Sequence, residues 1–146
     1  MTIRQAVPAD TAAVGALAAC LWPNHTADEM AAEFSQILTR EDAAVILATD
    51  ENTAIGFAQC GLRHDYVEGT SGGPVGYLEG IFVSPAYRRS GVAAQLTAAC
   101  ENWAKGMGCR EFASDCELEN AESIAFHRSL GFAEVNRIVC FVKRLQ

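Results

Sequence analysis

The sequence of 146 residues is poor in positive charge. It contains 11 Lys and Arg against 18 Asp and Glu, which gives a formal net charge of −7. Proteins that bind nucleic acid present a basic face to the phosphates, so this balance argues against a nucleic-acid partner. The excess of carboxylates suits a cationic ligand, because an acidic cleft raises the local concentration of positive substrates. Many soluble proteins have a similar charge, so composition leaves both interpretations open.

Long apolar runs are also missing. No stretch approaches the ~20 residues that a membrane-spanning helix needs, and the first residues lack the basic and then apolar order of a secretory signal. Half of the residues are hydrophobic, which favours a compact globular fold. We therefore expect a soluble, cytoplasmic protein without a membrane partner, folded as a single domain over residues 1–146.

Metal-binding patterns are absent as well. No two cysteines form a C-x-x-C pair, and no His stands at the spacing of a metal ligand. The sequence therefore predicts no metal site. Most of the six cysteines are expected to be reduced thiols in the core: Cys20, Cys60, Cys100, Cys109, Cys116 and Cys140.

Hydrophobic periodicity predicts a mixed α/β chain in the order β-α-α-β-β-β-α-β-α-β. A meander of three antiparallel strands precedes two crossovers, which predicts a mixed, mostly antiparallel sheet with helices on both faces. The predicted strands cover residues 2–7, 43–49, 53–63, 76–83, 111–115 and 132–143, and the predicted helices begin at residues 8, 26, 90 and 120.

The stretch GYLEGIFVSPAYRRSGVA, residues 76–93, organises the chain. It begins as an apolar strand, passes through a basic loop that contains Gly91, and leads directly into an amphipathic helix. Backbone N–H groups, the helix dipole and a glycine that lets a ligand come close together predict an anion site. The alternative is a solvated basic turn at Arg88 and Arg89.

Two acids stand out against their surroundings. Glu79 lies inside the apolar strand, where an unpaired charge would cost several kcal/mol, roughly. It either faces solvent or has a task, such as binding a substrate ammonium or taking its proton through water. Asp115 ends the strand at residues 111–115, and ligands collect at strand C-termini in α/β sheets. Its alternative role is a cap of the following helix.

Two motifs carry a resemblance to a known family. Arg88-x-x-Gly91-x-Ala93 resembles the (Arg/Gln)-x-x-Gly-x-(Gly/Ala) pyrophosphate loop of the GNAT superfamily of N-acetyltransferases. Asn120, followed by His127 and then Gly131-Phe132, resembles the Asn-x(6)-Tyr-x-x-x-Gly-Phe signature of the last helix of that fold, with His127 where most members have Tyr. With the element order, the resemblance covers nearly the whole chain and implies the GNAT fold, in which two strands of the sheet splay apart.

A narrower resemblance rests on four local strings. These strings are LWPNH, RHDYVEGT, PVGYLEGIFVSPAYRRSGVA and EFASDCELEN, at residues 21–25, 63–70, 74–93 and 111–120. They are similar to the corresponding segments of aminoglycoside 6′-N-acetyltransferases, which acetylate one amine of kanamycin-like antibiotics and confer resistance.

The resemblance implies acetyl-CoA as co-substrate, bound in the gap between the strands of residues 76–83 and 111–115. The residues that it implies for cofactor binding are Ile81, Phe82, Val83, Arg88, Arg89, Ser90, Gly91, Val92, Ala93, Asn120 and His127. His127 would either protonate the leaving thiolate, for which an imidazole has a suitable ordinary pKa, or only contact the cofactor.

The resemblance also implies how the acceptor binds. Its contacts would be Trp22, His25, Tyr66, Glu79, Asp115 and Asn136. Trp22 is alternatively a core aromatic, and Asn136 is implied to reach the acceptor from the second subunit of a homodimer. Glu79 and Asp115 would hold and deprotonate the amine, which attacks the thioester directly in a ternary complex. An acetyltransferase of polyamines or of protein or peptide amines is the alternative enzyme, and a non-catalytic module that binds acyl-CoA or an aminoglycoside is the alternative of another class.

Overall fold

The computed structural model describes all 146 residues and contains one five-stranded sheet. The strands are β1 (Thr2–Gln5), β2 (Ala43–Asp50), β3 (Thr53–Arg63), β4 (Val75–Val83) and β5 (Phe112–Ser114). They lie in the spatial order β1-β2-β3-β4-β5, and only the β4–β5 pair is parallel. The predicted mixed, mostly antiparallel sheet is therefore confirmed.

Four helices connect or follow the strands. They are α1 (Thr11–Leu21), α2 (Ala27–Ile37), α3 (Val92–Gly106) and α4 (Ala121–Ser129). The predicted capping box at the start of α2 is present: the Glu29 amide donates to Thr26 Oγ1 at 3.1 Å, and the Thr26 amide donates to Glu29 Oε1 at 2.8 Å. None of these helices combines the length and the apolarity that crossing a bilayer requires.

The sheet separates two hydrophobic cores, because alternate residues of a strand point to opposite faces. On β2, Ile46 belongs to the core beneath α3, whereas Leu47 belongs to the core beneath α1 and α2. Helices therefore cover both faces, as predicted. The expectation for the cysteines holds for buried Cys60, Cys100 and Cys109 and fails for Cys20, Cys116 and Cys140, which are exposed.

The predicted last strand, residues 132–143, is wrong. Residues 132–146 form neither a strand nor a helix, and apolar side chains in this segment lie in solvent: Val139 is 77%, Phe141 91% and Val142 92% exposed. An alternating apolar sequence becomes a strand only where another strand offers a hydrogen-bonding edge. Beyond Gly131 the chain pairs with no strand of the sheet, so the second predicted crossover is missing too.

Candidate active site

Strands β4 and β5 run side by side briefly and then separate. Their pairing ends at Leu78 and Ser114, whereas β4 continues to Val83 with only β3 beside it. Glu79 is the extra residue of a β-bulge, because the residues that flank it on β4 face consecutive residues of β3. A bulge bends its strand and re-aims side chains. The outer edge of β4 beyond Leu78, which includes the predicted residues Ile81–Val83, is therefore open to an extended ligand.

The start of α3 presents free backbone donors next to this open edge. Gly91 is the N-cap residue with φ +84°, no side chain caps the helix, and Arg89 also has a positive φ of +64°. The first N–H groups of the helix, at Val92 and Ala93, therefore have no intrahelical partner. Uncapped N–H groups and the positive end of the helix dipole fit a phosphate.

Two side chains of this loop, those of Arg88 and Ser90, bind backbone carbonyls of the protein itself. Arg88 Nε donates to the Val83 carbonyl at 2.8 Å, and its guanidinium lies 5.5 Å from the centroid of the Phe82 ring. The Ser90 hydroxyl donates to the Tyr87 carbonyl. The structure thus joins the predicted residues 81–83 and 88–93 into one surface, whose donors to a ligand are mainly backbone groups.

His127 lies at the base of the gap between β4 and β5. Its Nδ1 is 2.7 Å from the Ser123 carbonyl oxygen, which can only accept, so Nδ1 carries the proton. Its Nε2 is 2.8 Å from Ser114 Oγ, which also lies 3.2 Å from the Leu78 carbonyl oxygen. The Ser114 hydroxyl can donate to either group. A proton on Nε2 would turn that hydroxyl toward Leu78, so the site accommodates both charge states of the imidazole.

Asn120 has a structural task in α4. Its Oδ1 accepts the Ser123 amide at 3.0 Å and thereby caps the helix that carries His127. The implied contact between Asn120 and the cofactor stays a prediction.

The two predicted carboxylates are joined by residues that the sequence did not single out. Glu79 accepts two hydrogen bonds from Arg63, at 2.8 and 3.1 Å, and these bonds raise the pKa of the guanidinium. The same guanidinium lies 3.8 Å from the centroid of the Tyr77 ring, and the Tyr77 hydroxyl donates to Asp115 Oδ2. Burial first, and then this bond to Asp115, raise the pKa of Tyr77 well above its ordinary value.

Two cavities surround these carboxylates. A cleft of about 900 Å³ is lined by Tyr66, Asp115, His127 and Asn136, among others. A smaller cavity of about 280 Å³ is lined by Trp22, His25 and Glu79, among others. The predicted acceptor residues thus form two groups. Arg63 lines the cleft and binds Glu79 of the smaller cavity, so this ion pair connects the two.

The wall of the cleft includes a loop and the C-terminal segment. Tyr66 is 76% exposed, and its hydroxyl donates to Glu68 Oε2 at 3.2 Å. Asn136 of the same chain donates through Nδ2 to Glu68 Oε1 at 3.0 Å. Glu68 therefore holds Tyr66 and Asn136 together, and it is a third residue that sequence reasoning missed.

Trp22 belongs both to the core and to a cavity wall. Its ring lies 6.5 Å from Phe34 and 6.3 Å from Phe57, centroid to centroid. On its other side the indole rests on the backbone of β4, where a Cβ on Gly80 would stand only 2.6 Å from it. The two interpretations of Trp22 are thus compatible: core packing fixes a ring whose edge lines the cavity with His25 and Glu79.

One signal for the missed residues was available. Tyr77 and Glu79 are two apart on one strand, and Arg63 ends the strand before it, within the string RHDYVEGT. Spacing of two places side chains on one face of a strand, and a cation at the end of a neighbouring strand can reach them. The bulge that moves Glu79 out of register had no such signal.

Comparisons with known proteins give the family. A sequence model of the Acetyltransferase (GNAT) family matches residues 12–132. Aminoglycoside N(6′)-acetyltransferase type 1 of Stenotrophomonas maltophilia is 47% identical over 96% of this chain and 91% of that protein. The enzyme of the same name from Salmonella typhimurium is 46% identical over 85% of this chain and 86% of that protein.

Solved structures agree. Aminoglycoside N-acetyltransferase AAC(6′)-Iy in complex with CoA superposes with a TM-score of 0.94 at 43% identity, covering 98% of this chain and 94% of that one. The same enzyme with the bisubstrate analogue CoA-S-monomethyl-acetylneamine gives a TM-score of 0.93 at 43% identity, covering 98% of this chain and 97% of that one. The chain belongs to the GNAT acetyltransferase family and, within it, to the aminoglycoside N(6′)-acetyltransferases of type 1.

Proposed function

We propose that this protein transfers the acetyl group of acetyl-CoA to the 6′-amine of an aminoglycoside and thereby confers resistance. The observation that carries the proposal is the match to AAC(6′)-Iy, whose bound bisubstrate analogue joins CoA to an acetylneamine. Here the uncapped start of α3 and the open edge of β4 suit the CoA part, and Asp115, at the point where β5 separates from β4, lines a cleft that suits the acceptor.

The chain would hold acetyl-CoA largely through its backbone. The free N–H groups around Gly91–Ala93 suit the pyrophosphate, and the open edge at Ile81–Val83 suits the pantetheine arm, which hydrogen-bonds like an added strand. The thioester would then lie where β4 and β5 separate, near His127, which bonds Ser114, and near Asp115, which follows Ser114 in the chain. A backbone N–H near Val83 would polarise the thioester carbonyl.

The carboxylates would supply the acceptor side of the reaction. An aminoglycoside amine is protonated at neutral pH and must lose a proton to attack. Glu79 and Asp115 hold the ammonium, and one of them takes the proton directly or through water. The amine nitrogen forms a bond to the thioester carbon, the carbon–sulfur bond breaks, and the thiolate leaves with the electron pair.

The leaving thiolate needs a proton. His127 is the nearest candidate at the base of the gap, and its hydrogen bonds to Ser123 and Ser114 accommodate a proton on Nε2. His127, or a water in its place, would donate this proton, so that the products are the amide and CoA.

We also propose a homodimer in the cytoplasm. The exposed apolar residues of the C-terminal segment, 132–146, fit a surface that a second copy covers, and an extended segment of this kind can pair with a strand edge of the partner. In such an exchange Asn136 would leave Glu68 of its own chain and reach the acceptor site of the partner. Six free cysteines suit a reducing compartment.

Sedimentation of the protein and of a Phe141→Asp variant tests the dimer. We expect the unchanged protein to sediment as a dimer and the variant as a monomer, because a charge in a buried interface is costly. Val7→Asp is the matched control, since Val7 is also an exposed apolar residue but lies outside the segment. A monomeric unchanged protein contradicts the dimer.

Release of the CoA thiol tests the reaction. Acetyl-CoA is supplied with kanamycin or tobramycin, or with counterparts that carry a hydroxyl in place of the 6′-amine. Turnover only with the 6′-amine is expected, because the hydroxyl counterpart lacks the nucleophile. Turnover with neither, together with turnover of spermidine or a peptide amine, would assign the protein to another acceptor class.

A further inference from the structure

Four side chains form a continuous row that runs from Arg63, at the end of β3, across the interior of β4 to Asp115, directly after β5. Glu79 binds Arg63 through both carboxylate oxygens, Arg63 stacks on the ring of Tyr77, and the Tyr77 hydroxyl donates to Asp115. The row runs from the smaller cavity into the cleft. Arg63 and Tyr77, the two residues between the carboxylates, have no role in the proposed function.

The two carboxylates of the row, Glu79 and Asp115, have different partners. Both oxygens of Glu79 face a guanidinium, so its charge is compensated by Arg63 within hydrogen-bonding distance. Asp115 takes part in no ion pair: Arg63 acts on it only electrostatically, without a hydrogen bond, and its hydrogen-bond partner in the row is a neutral phenol. Hydrogen bonding from a phenol fixes a carboxylate but leaves its negative charge in place.

The burial of the two middle residues suits this division. The Tyr77 residue is 7% exposed, so its ring is held in place while its hydroxyl donates to Asp115. The Arg63 side chain is 44% exposed and can move away when another cation arrives. The bond from Tyr77 to Asp115 is therefore fixed, whereas another cation can replace Arg63 at Glu79.

We propose that Arg63 and Tyr77 are positioning residues that make the two carboxylates unequal: Arg63 forms an ion pair with Glu79, and Tyr77 fixes an Asp115 that has no ion pair. The inference rests on the proposed function, because it concerns the binding of a cationic acceptor. It makes Asp115 the group that receives the proton of the amine. Glu79 then offers hydrogen-bond acceptors, and its full charge becomes available only if Arg63 moves.

Calorimetric binding of kanamycin in the presence of CoA, at low and high NaCl, tests the role of Arg63. Arg63→Gln exposes the charge of Glu79, so we expect kanamycin to bind tighter by roughly fivefold at low salt, the effect of one unit charge near 4 Å in water. Screening should then reduce its affinity more steeply with salt than that of the unchanged protein.

Two variants control for charge and geometry. Arg4→Gln removes the same charge from a similar two-bond pair with Asp10 at the far edge of the sheet, and it should leave kanamycin binding unchanged. Arg63→Lys keeps the charge and should restore ordinary affinity and salt dependence. Equal or weaker binding by Arg63→Gln, compared with Arg4→Gln, overturns the assignment.

Turnover tests the role of Tyr77. Tyr77→Phe keeps the ring beneath Arg63 and removes only the bond to Asp115, so kcat should fall on the order of tenfold while the KM of acetyl-CoA stays the same. Tyr87→Phe removes a comparable bond, from Tyr87 to Asp50 at 2.9 Å, and should leave the acceptor KM and kcat unchanged. An unchanged kcat in Tyr77→Phe overturns the role of Tyr77.

If the unchanged protein fails to turn over any 6′-amine, the proposed function fails, and the calorimetry still decides the inference for a cationic ligand.

Discussion

The two sides of the candidate site offer different groups to a bound molecule: backbone groups on one side and side chains on the other. On the proposed cofactor side, the groups available as donors belong to the backbone: the open edge of β4 and the uncapped start of α3. Side chains there, such as Arg88, point back to the protein. On the proposed acceptor side, the groups that line the cavities are side chains from several elements. Glu79, Asp115 and Trp22, for example, lie in separate parts of the chain.

The difference determines how each side can be damaged. A backbone site depends on local φ and ψ and on a free helix end, so most side-chain substitutions around it should matter little. A side-chain site depends on charge and on distant partners such as Arg63 and Tyr77, so single isosteric substitutions should matter greatly. Substitutions on each side therefore separate these two kinds of dependence.

The largest effect is expected for Asp115→Asn. The amide has the shape of the carboxylate and can still accept from Tyr77, but it cannot take a proton, so kcat should fall about 100-fold or more. The KM of acetyl-CoA should stay the same, since the cofactor side is untouched. Thiol release with kanamycin measures both.

Asp28→Asn is the matched control for this variant. Asp28 is an exposed acid in the first turn of α2 and lines neither cavity, so its amide should leave kcat unchanged. If Asp115→Asn kept most of the activity of the unchanged protein, Asp115 would not be the proton acceptor.

A smaller effect on the acceptor side is expected for Gly80→Ala. The new Cβ would stand 2.6 Å from the Trp22 indole, which Phe34 and Phe57 prevent from moving freely. Overpacking of this kind should lower the free energy of unfolding by about 1–3 kcal/mol. Urea unfolding followed by tryptophan fluorescence measures this change. An unchanged midpoint would mean that the indole has room to shift.

The strand, loop and helix of the proposed cofactor side could be predicted from sequence because the signals for them are local, while the contacts with the cofactor stay a prediction. A strand, a basic loop with Gly91 and an amphipathic helix occur within residues 76–93, and each has its own signal. The order of the first five strands and the four helices followed in the same way, because alternation and helical periods are properties of short windows.

The acceptor side could be predicted only in part. Glu79 was singled out as an acid inside an apolar strand and Asp115 as an acid at the end of a strand. Their partners depend on strand register and on the bulge at Glu79, which no local pattern encodes. The last strand failed for a related reason. Residues 132–143 have the composition of a strand, and composition does not say whether a partner edge is within reach.

Gly91→Ala tests whether the cofactor side depends on backbone conformation. Gly91 has φ +84°, and no atom lies within 4 Å of the position that a Cβ would take there, so strain is the only cost of the substitution. An L-residue with this positive φ is strained by about 1–2 kcal/mol. If the loop relieves the strain by changing its conformation, the backbone donors move and the KM of acetyl-CoA should rise roughly tenfold. Gly106→Ala is the control, because Gly106 has equal space and no positive φ. Equal KM values for the two variants would contradict a backbone site.

The smallest effect is expected at Ser114, where the two sides meet. Ser114 ends the pairing of β5 with β4 and lies 2.8 Å from His127 Nε2. Ser114→Ala removes one neutral hydrogen bond, worth about 0.5–1.5 kcal/mol, so kcat should fall about two- to tenfold while the acceptor KM stays unchanged.

The same substitution in a His127→Gln background tests whether Ser114 acts through His127. If the hydroxyl acts through the imidazole, the second fall should vanish, because the group that it positions is gone. A fall of the same size in both backgrounds would show that Ser114 acts on the strands through the Leu78 carbonyl rather than on the proton donor.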